Sequence, residues 1–230
     1  MFNKPGMFIT LEGPEGGGKT TQREFIAEYL RNYGYEVVIT REPGGTPFAE
    51  QVRALLLTPI EEPLDGLTEL QLVFAARNQH VTQVIRPAME RGAVVICDRF
   101  IDSTMAYQGY GRCMPLSNIQ MLEELVLGDF KPDITFLLDI NSEVGLKRAA
   151  ARGKLDRMEL QGQAFFSRVR TGFRILADQQ PDRIKIIDAS QPIDQVQAQI
   201  LPHLMELVNK HKQRPNVEDS LYGNETRTTQ

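Results

Sequence analysis

The chain has 230 residues, 41% hydrophobic and 24% charged, which suits one α/β domain with a core of its own. Its formal net charge of −4 argues against a nucleic acid polymer as partner, because backbone binding needs a basic surplus, but leaves room for a small anion held by a few local donors. Cys97 and Cys113 do not make a disulfide framework, the three histidines lack metal spacing, and no run approaches the ~18 apolar residues of a membrane span, so no membrane is expected and the cytoplasm is the expected location.

Met7 to Leu11 is a short apolar run that enters a glycine-rich turn. Gly13-Pro14-Glu15-Gly16-Gly17-Gly18-Lys19-Thr20 fits G-x-x-x-x-G-K-[ST]. Glycines let backbone N–H groups wrap a phosphate where a Cβ would intervene. The helix that begins near Lys19 adds its positive end. Lys19 is suited to reach the β- and γ-phosphates of ATP, and the Thr20 hydroxyl to ligate Mg²⁺. With Thr21 beside them, these residues form the candidate ATP site.

Thr20 to Tyr33 is expected to be a helix stopped by Gly34, and Val37 to Thr40 a strand. Helices are expected over Ala49–Leu57 and Thr68–Arg91, the latter kinked or broken at Pro87. Ala93 to Cys97 has the strongest buried-strand pattern. Asp98-Arg99-Phe100 follows it directly, and a carboxylate at that strand end is placed to hold Mg²⁺ or its waters, with Arg99 suited to grip an acceptor phosphate. Ile134–Leu138 and Ile184–Ile187 complete five strands, and Val144–Arg152, Phe165–Gln179 and Ile193–Lys210 are further helices. Strands that are continuous apolar runs, alternating with helices, predict a parallel sheet covered on both faces, the three-layer P-loop kinase fold. Residues 1–213 are expected to form one domain, and the polar segment 214–230 a disordered tail.

A P-loop also serves switches, but Asn209-Lys210-His211-Lys212 does not supply the N-K-x-D guanine-reading motif. Longer motifs decide the matter. Thr40-Arg41-Glu42-Pro43-Gly44-Gly45-Thr46, the segment Asp98 to Gly109, and Leu155-Asp156-Arg157 after the arginine-rich 148–152 stretch resemble, in order and spacing, bacterial thymidylate kinases over roughly residues 7 to 211. The resemblance implies ATP-dependent phosphorylation of dTMP to dTDP with Mg²⁺, a step of dTTP biosynthesis. It places Glu15 on the acceptor side, Arg53 and Arg99 on the dTMP phosphate with Arg41 nearby, and Arg77 on the thymine ring. Ser103, Thr104, Tyr107 and Gln108 would line the nucleoside, with Gln108 or Thr104 near the base edge. Many members stack a phenylalanine four residues before the base-reading arginine. Val73 stands there in this chain, so Phe74, three before Arg77, is the expected stacking ring. Because the P-loop carries Glu15 and no arginine, a lid over about 148–160, hinged near Gly153, must supply the phosphate clamp, with Arg152 favoured over Arg157. Family members are usually homodimers, and the Thr68–Arg91 helix is the candidate interface.

Overall fold

The computed structural model of the chain describes residues 4–59, 61–151 and 156–214. Its strands β1 (Met7–Glu12), β2 (Val37–Arg41), β3 (Val94–Asp98), β4 (Ile134–Asp139) and β5 (Ile184–Asp188) form one parallel sheet in the order β2-β3-β1-β4-β5. Each strand runs one residue past the apolar segment read from the sequence. The added residue is charged every time: Glu12, Arg41, Asp98, Asp139 and Asp188. Apolar periodicity marks the part of a strand that lies in the core, and backbone pairing carries on into the polar rim.

Side chains alternate across the sheet. Met7, Ile9, Leu11, Val94, Ile96, Ile134, Phe136 and Leu138 pack against α1 (Lys19–Asn32) and α9 (Ile193–Gln213). Phe8, Val95, Cys97 and Leu137 point the other way, toward α3 (Gly66–His80), α4 (Arg86–Glu90), α5 (Ile101–Thr104), α6 (Leu116–Val126) and α8 (Gln163–Gln179). Full burial of each such apolar side chain contributes roughly 2 kcal/mol. Helix α2 (Pro47–Leu57) packs outside α3 through Ala49, Val52, Leu56, Val73 and Ala76. The remaining helix, α7 (Ser142–Ala150), follows β4.

Helix boundaries follow their caps. Thr46 Oγ1 accepts the Ala49 N–H at 3.1 Å and Pro47 takes the first turn, so α2 starts before its apolar stripe. Asp65 accepts the N–H groups of Leu67 and Thr68, which starts α3 at Gly66. The expected break at Pro87 takes the form of a π-helical stretch, Val81–Ile85, that joins α3 to α4. The wider turn absorbs the missing N–H and the ring of the proline.

Helices α5 and α6 have no counterpart in the sequence reading. After α5, Met105–Gly111 continues as a π-helix, with Met105, Ala106, Tyr107, Gln108, Gly109 and Gly111 all buried. A helix enclosed on all sides shows no amphipathic stripe, and its serine, threonine and glycine content lowers its helix propensity. In α6 the stripe is blurred because Met121 and Leu125 face outward. Arg214 ion-pairs with Asp133, and 215–230, most of the expected tail, lie outside the described residues.

Candidate active site

Three strand ends build the site. Leu11 of β1 stands beside Asp98 of β3, which stands beside Arg41 of β2. The carboxyl ends of parallel strands are where a crevice opens in such sheets. Residues 15–21 of the glycine loop and the start of α1 line a cavity of about 790 Å³ there, together with Arg41, Asp98 and Arg148. Gly13 and Pro14 contribute their carbonyls instead, which accept the Lys19 ammonium at 3.2 and 3.0 Å. Burial and the nearby Arg99 charge lower the Lys19 pKa. A Cβ on Gly16 would lie 2.3 Å from the Gly145 carbonyl oxygen, so only glycine lets the loop touch α7, the root of the expected lid. Thr20 lines the same cavity as Asp98, whose Oδ1 is buried without a hydrogen-bond partner among the described residues. Such an orphaned acceptor fits a cation or its water.

A second cavity of about 100 Å³ adjoins the first, and Glu15, Glu42, Arg53, Arg99 and Asp156 line both. Arg99 dominates the junction. Its backbone is left-handed, φ 70°, an uncommon conformation for a residue with a Cβ, and is pinned by its N–H to the Leu11 carbonyl at 2.9 Å. The guanidinium ion-pairs with Glu15, donates to the Gly13 carbonyl at 3.0 Å and Ser103 Oγ at 3.1 Å, and lies 4.9 Å from the Tyr107 ring centre. Burial works against its charge, yet Glu15 and its other neighbours raise its pKa above the usual arginine value. Burial also raises the Tyr107 pKa, so its hydroxyl stays a donor, 3.4 Å from Glu15. Arg53 donates to the Pro43 carbonyl at 2.8 Å, and burial lowers its pKa.

Below this junction sits Glu12, which the sequence reading passed over. One of its carboxylate oxygens accepts the Phe100 N–H at 2.7 Å and the other the Ser103 hydroxyl at 2.5 Å, so it braces the turn that aims Arg99. Burial, then the Asp102 charge, pushes its pKa up to about 7. A lone carboxylate directly after an apolar run and before a phosphate loop is the signal that marks it.

The smaller cavity is walled by side-chain networks. Arg77, 2% exposed, donates through Nε to Glu42 at 2.7 Å and through one terminal nitrogen to Thr104 at 2.8 Å. The other Glu42 oxygen accepts His80 Nδ1 at 2.9 Å, and His80 Nε2 meets the Thr40 hydroxyl at 2.6 Å. Gly45 makes room for that imidazole, because a Cβ there would lie 2.4 Å from the ring. What remains is the second terminal nitrogen of Arg77, buried and without a partner among the described residues. Gln108 lies on the same wall and donates to Glu69 at 2.9 Å.

Phe74 does not line this cavity. It belongs to the core behind α3, its ring 5.0 Å from the Arg77 guanidinium carbon. Three residues along a helix turn the side chain about 300°, four about 400°, and here position 73 faces the cavity, so Val73 joins Phe100, Leu56, Leu57 and Met158 in its apolar lining. Arg157 donates to the Leu56 carbonyl at 2.6 Å and to Glu69 at 2.5 Å. Arg152, together with the Gly153 hinge, lies outside the described residues, while Arg148 approaches the Gly16 carbonyl at 3.4 Å. Glu69 and His80 carry no local signal in the sequence, and Glu42 was visible only as part of its motif.

A parallel sheet whose strand ends hold a phosphate loop, a carboxylate and a second pocket meeting the first at an arginine defines a P-loop kinase. The thymidylate kinase family model matches residues 11–200. Curated thymidylate kinases of Pseudomonas fluorescens SBW25 and Ectopseudomonas mendocina are 59% and 56% identical over 204 residues, covering 87% of this chain and 97% of each relative. The crystal structure of thymidylate kinase from Ehrlichia chaffeensis superposes with a TM-score of 0.71 at 41% identity, over 87% of this chain and 99% of that one. The chain belongs to the thymidylate kinase family.

Proposed function

We propose that the larger cavity holds ATP, that the smaller holds the nucleoside of dTMP, and that phosphoryl transfer takes place where Glu15, Arg53 and Arg99 line both. The enzyme is a thymidylate kinase and converts dTMP to dTDP with ATP as donor. The adjoining of the two cavities at a cluster of arginines is the observation that carries the assignment of roles. An oxygen of the dTMP phosphate is already anionic at neutral pH, so it attacks the γ-phosphorus of ATP without a strong general base. The obstacle is the approach of two polyanions. Lys19 shifts from the loop carbonyls to the β- and γ-phosphates, while Arg53 and Arg99 orient the acceptor phosphate. Thr20 and Asp98 would hold Mg²⁺, which offsets charge between the phosphates.

Arg77 offers its unpartnered nitrogen to the O4 acceptor of thymine, Gln108 meets the neighbouring N3–H, and Phe100 and Val73 enclose the ring. Charge for the transferring phosphoryl group comes from Arg148 and Arg152 of the lid. The neighbouring helices α2, α3 and α6 expose Phe48, Leu55, Leu67, Met121 and Leu125, which supports a homodimer formed through this helical layer. Two free cysteines, one exposed, accord with a reducing cytoplasm. No helix among the described residues is long and apolar enough to cross a membrane. A panel of nucleoside monophosphates assayed with ATP and coupled ADP detection tests the assignment. dTMP is expected to give the highest kcat/KM, and a preference for AMP, CMP or GMP overturns it.

A further inference from the structure

We infer that Glu69 is a specificity-determining positioning residue, which fixes the polarity of the Gln108 amide so that its oxygen faces the pyrimidine. The inference rests on the reading above that Arg77 and Gln108 face the base.

Primary amides have two ends of similar shape and opposite hydrogen-bonding sense. Turned one way, Gln108 accepts from the N3–H of thymine. Turned the other way, it donates to the bare N3 of cytosine. Discrimination at this edge therefore depends on what holds the amide. Glu69 of α3 is 1% exposed, and one of its oxygens lies 2.9 Å from Gln108 Nε2. An ionised carboxylate only accepts, so the nitrogen must be the end that faces it. Turning the amide would set two oxygens against each other in a buried site. Gln108 lines the cavity, and its only side-chain hydrogen bond among the described residues is the one from its nitrogen to Glu69, which leaves its oxygen for a ligand.

The carboxylate is held ionised by its surroundings. Arg112 grips both oxygens at 3.2 and 3.0 Å, and Arg157 donates to one at 2.5 Å. Burial alone would raise the Glu69 pKa, but the hydrogen bonds from Arg112, Gln108 and Arg157 outweigh it and the pKa is lowered. Glu69 is thus an acceptor at neutral pH, and two arginines keep it from turning away from Gln108. Arg157 lies within the expected lid segment, so a side chain of that segment also helps to hold Glu69 in place.

Glu69→Gln tests this. A glutamine at position 69 can donate to the Gln108 oxygen as well as accept from its nitrogen, so the amide is released. The ratio of kcat/KM for dTMP over dCMP is expected to fall at least about tenfold. It does not invert, because Arg77 still favours O4 over an amino group. Arg112→Met removes one of the two cations that hold Glu69 ionised and turned toward Gln108, and is expected to lower the same ratio in the same direction but by less than Glu69→Gln. Proportional loss for both nucleotides in Glu69→Gln, with the ratio unchanged, overturns the proposal. Gln108→Ala separates the two levels of the argument: an unchanged ratio there shows that Gln108 does not read the base, a failure of the underlying assignment. Should Glu69→Gln not fold, neutron diffraction of the wild-type dTMP complex decides. Deuterons on the Gln108 end nearest Glu69 are expected, and deuterons toward the base overturn the inference.

Discussion

The two halves of the site solve opposite problems. The side proposed for phosphate is open, about 790 Å³, and is lined by one continuous loop segment, residues 15–21, together with scattered charged side chains such as Arg41, Asp98 and Arg148. The nucleoside side is tight, about 100 Å³, and is built from side chains of α3, the loop after β2, and the helices after β3. A phosphate is a diffuse anion that any convergent set of N–H groups and cations can hold. A pyrimidine edge differs from its rivals in the direction of two hydrogen bonds, so its readers must be locked. Here buried carboxylates do the locking: Glu42 holds Arg77, and Glu69 holds Gln108. Charge suffices on one side, and fixed geometry is needed on the other.

Substitutions on the two sides should therefore fail differently. Lys19→Ala is expected to lower kcat by about a thousandfold while KM for dTMP changes little, because the lysine acts on charge that develops in the transfer. Steady-state rates with each substrate varied in turn check this, and a near-normal kcat removes Lys19 from the mechanism. Glu42→Gln should show the reverse pattern. Arg77 loses its charged partner and becomes mobile, so KM for dTMP rises roughly tenfold to a hundredfold with a smaller change in kcat. Its folding stability should also drop by about 3 kcal/mol, since a buried arginine is left under-paired. A fall in kcat alone would dissolve the distinction between the two sides.

The last expected effect, on stability alone, lies at Glu12, under the junction. Its folded pKa, about 7, exceeds the unfolded value of 4.5, so the folded state binds the proton more tightly. Its contribution is fully present below pH 4.5 and is lost as pH rises through 7, at most about 3 kcal/mol. Glu12→Gln removes that slope. Urea melts at pH 5 and pH 8 should show the variant gaining stability relative to wild type at the higher pH. An equal difference at both pH values would mean that Glu12 is ionised throughout.

Much of this was legible in the chain itself, for reasons that differ by region. The inner strands β1, β3 and β4 were visible because burial on both faces makes each a nearly continuous apolar run, and the less buried edge strands β2 and β5 were visible from their β-branched residues. The phosphate loop was visible because its function is local: glycines, lysine and threonine act within eight residues of backbone. Phe74 lies in the core and Val73 on the cavity wall because spacing on a helix gives an angle, and only packing against the core decides which neighbouring angle faces the pocket. The helices of residues 101–126 were missed because one is buried on every side and the other faces apolar residues outward.

By itself the sequence determined the fold class, the loop, the Asp98-Arg99 pair and the family. Tertiary structure alone decided the partnerships: Glu12 with Phe100 and Ser103, 88 and 91 residues away, and Glu69 with Gln108, Arg112 and Arg157, 39, 43 and 88 residues away. Local chemistry states what a side chain can donate or accept. Which of its hydrogen bonds are already engaged, and hence which one remains for a ligand, depends on neighbours that only folding brings within reach.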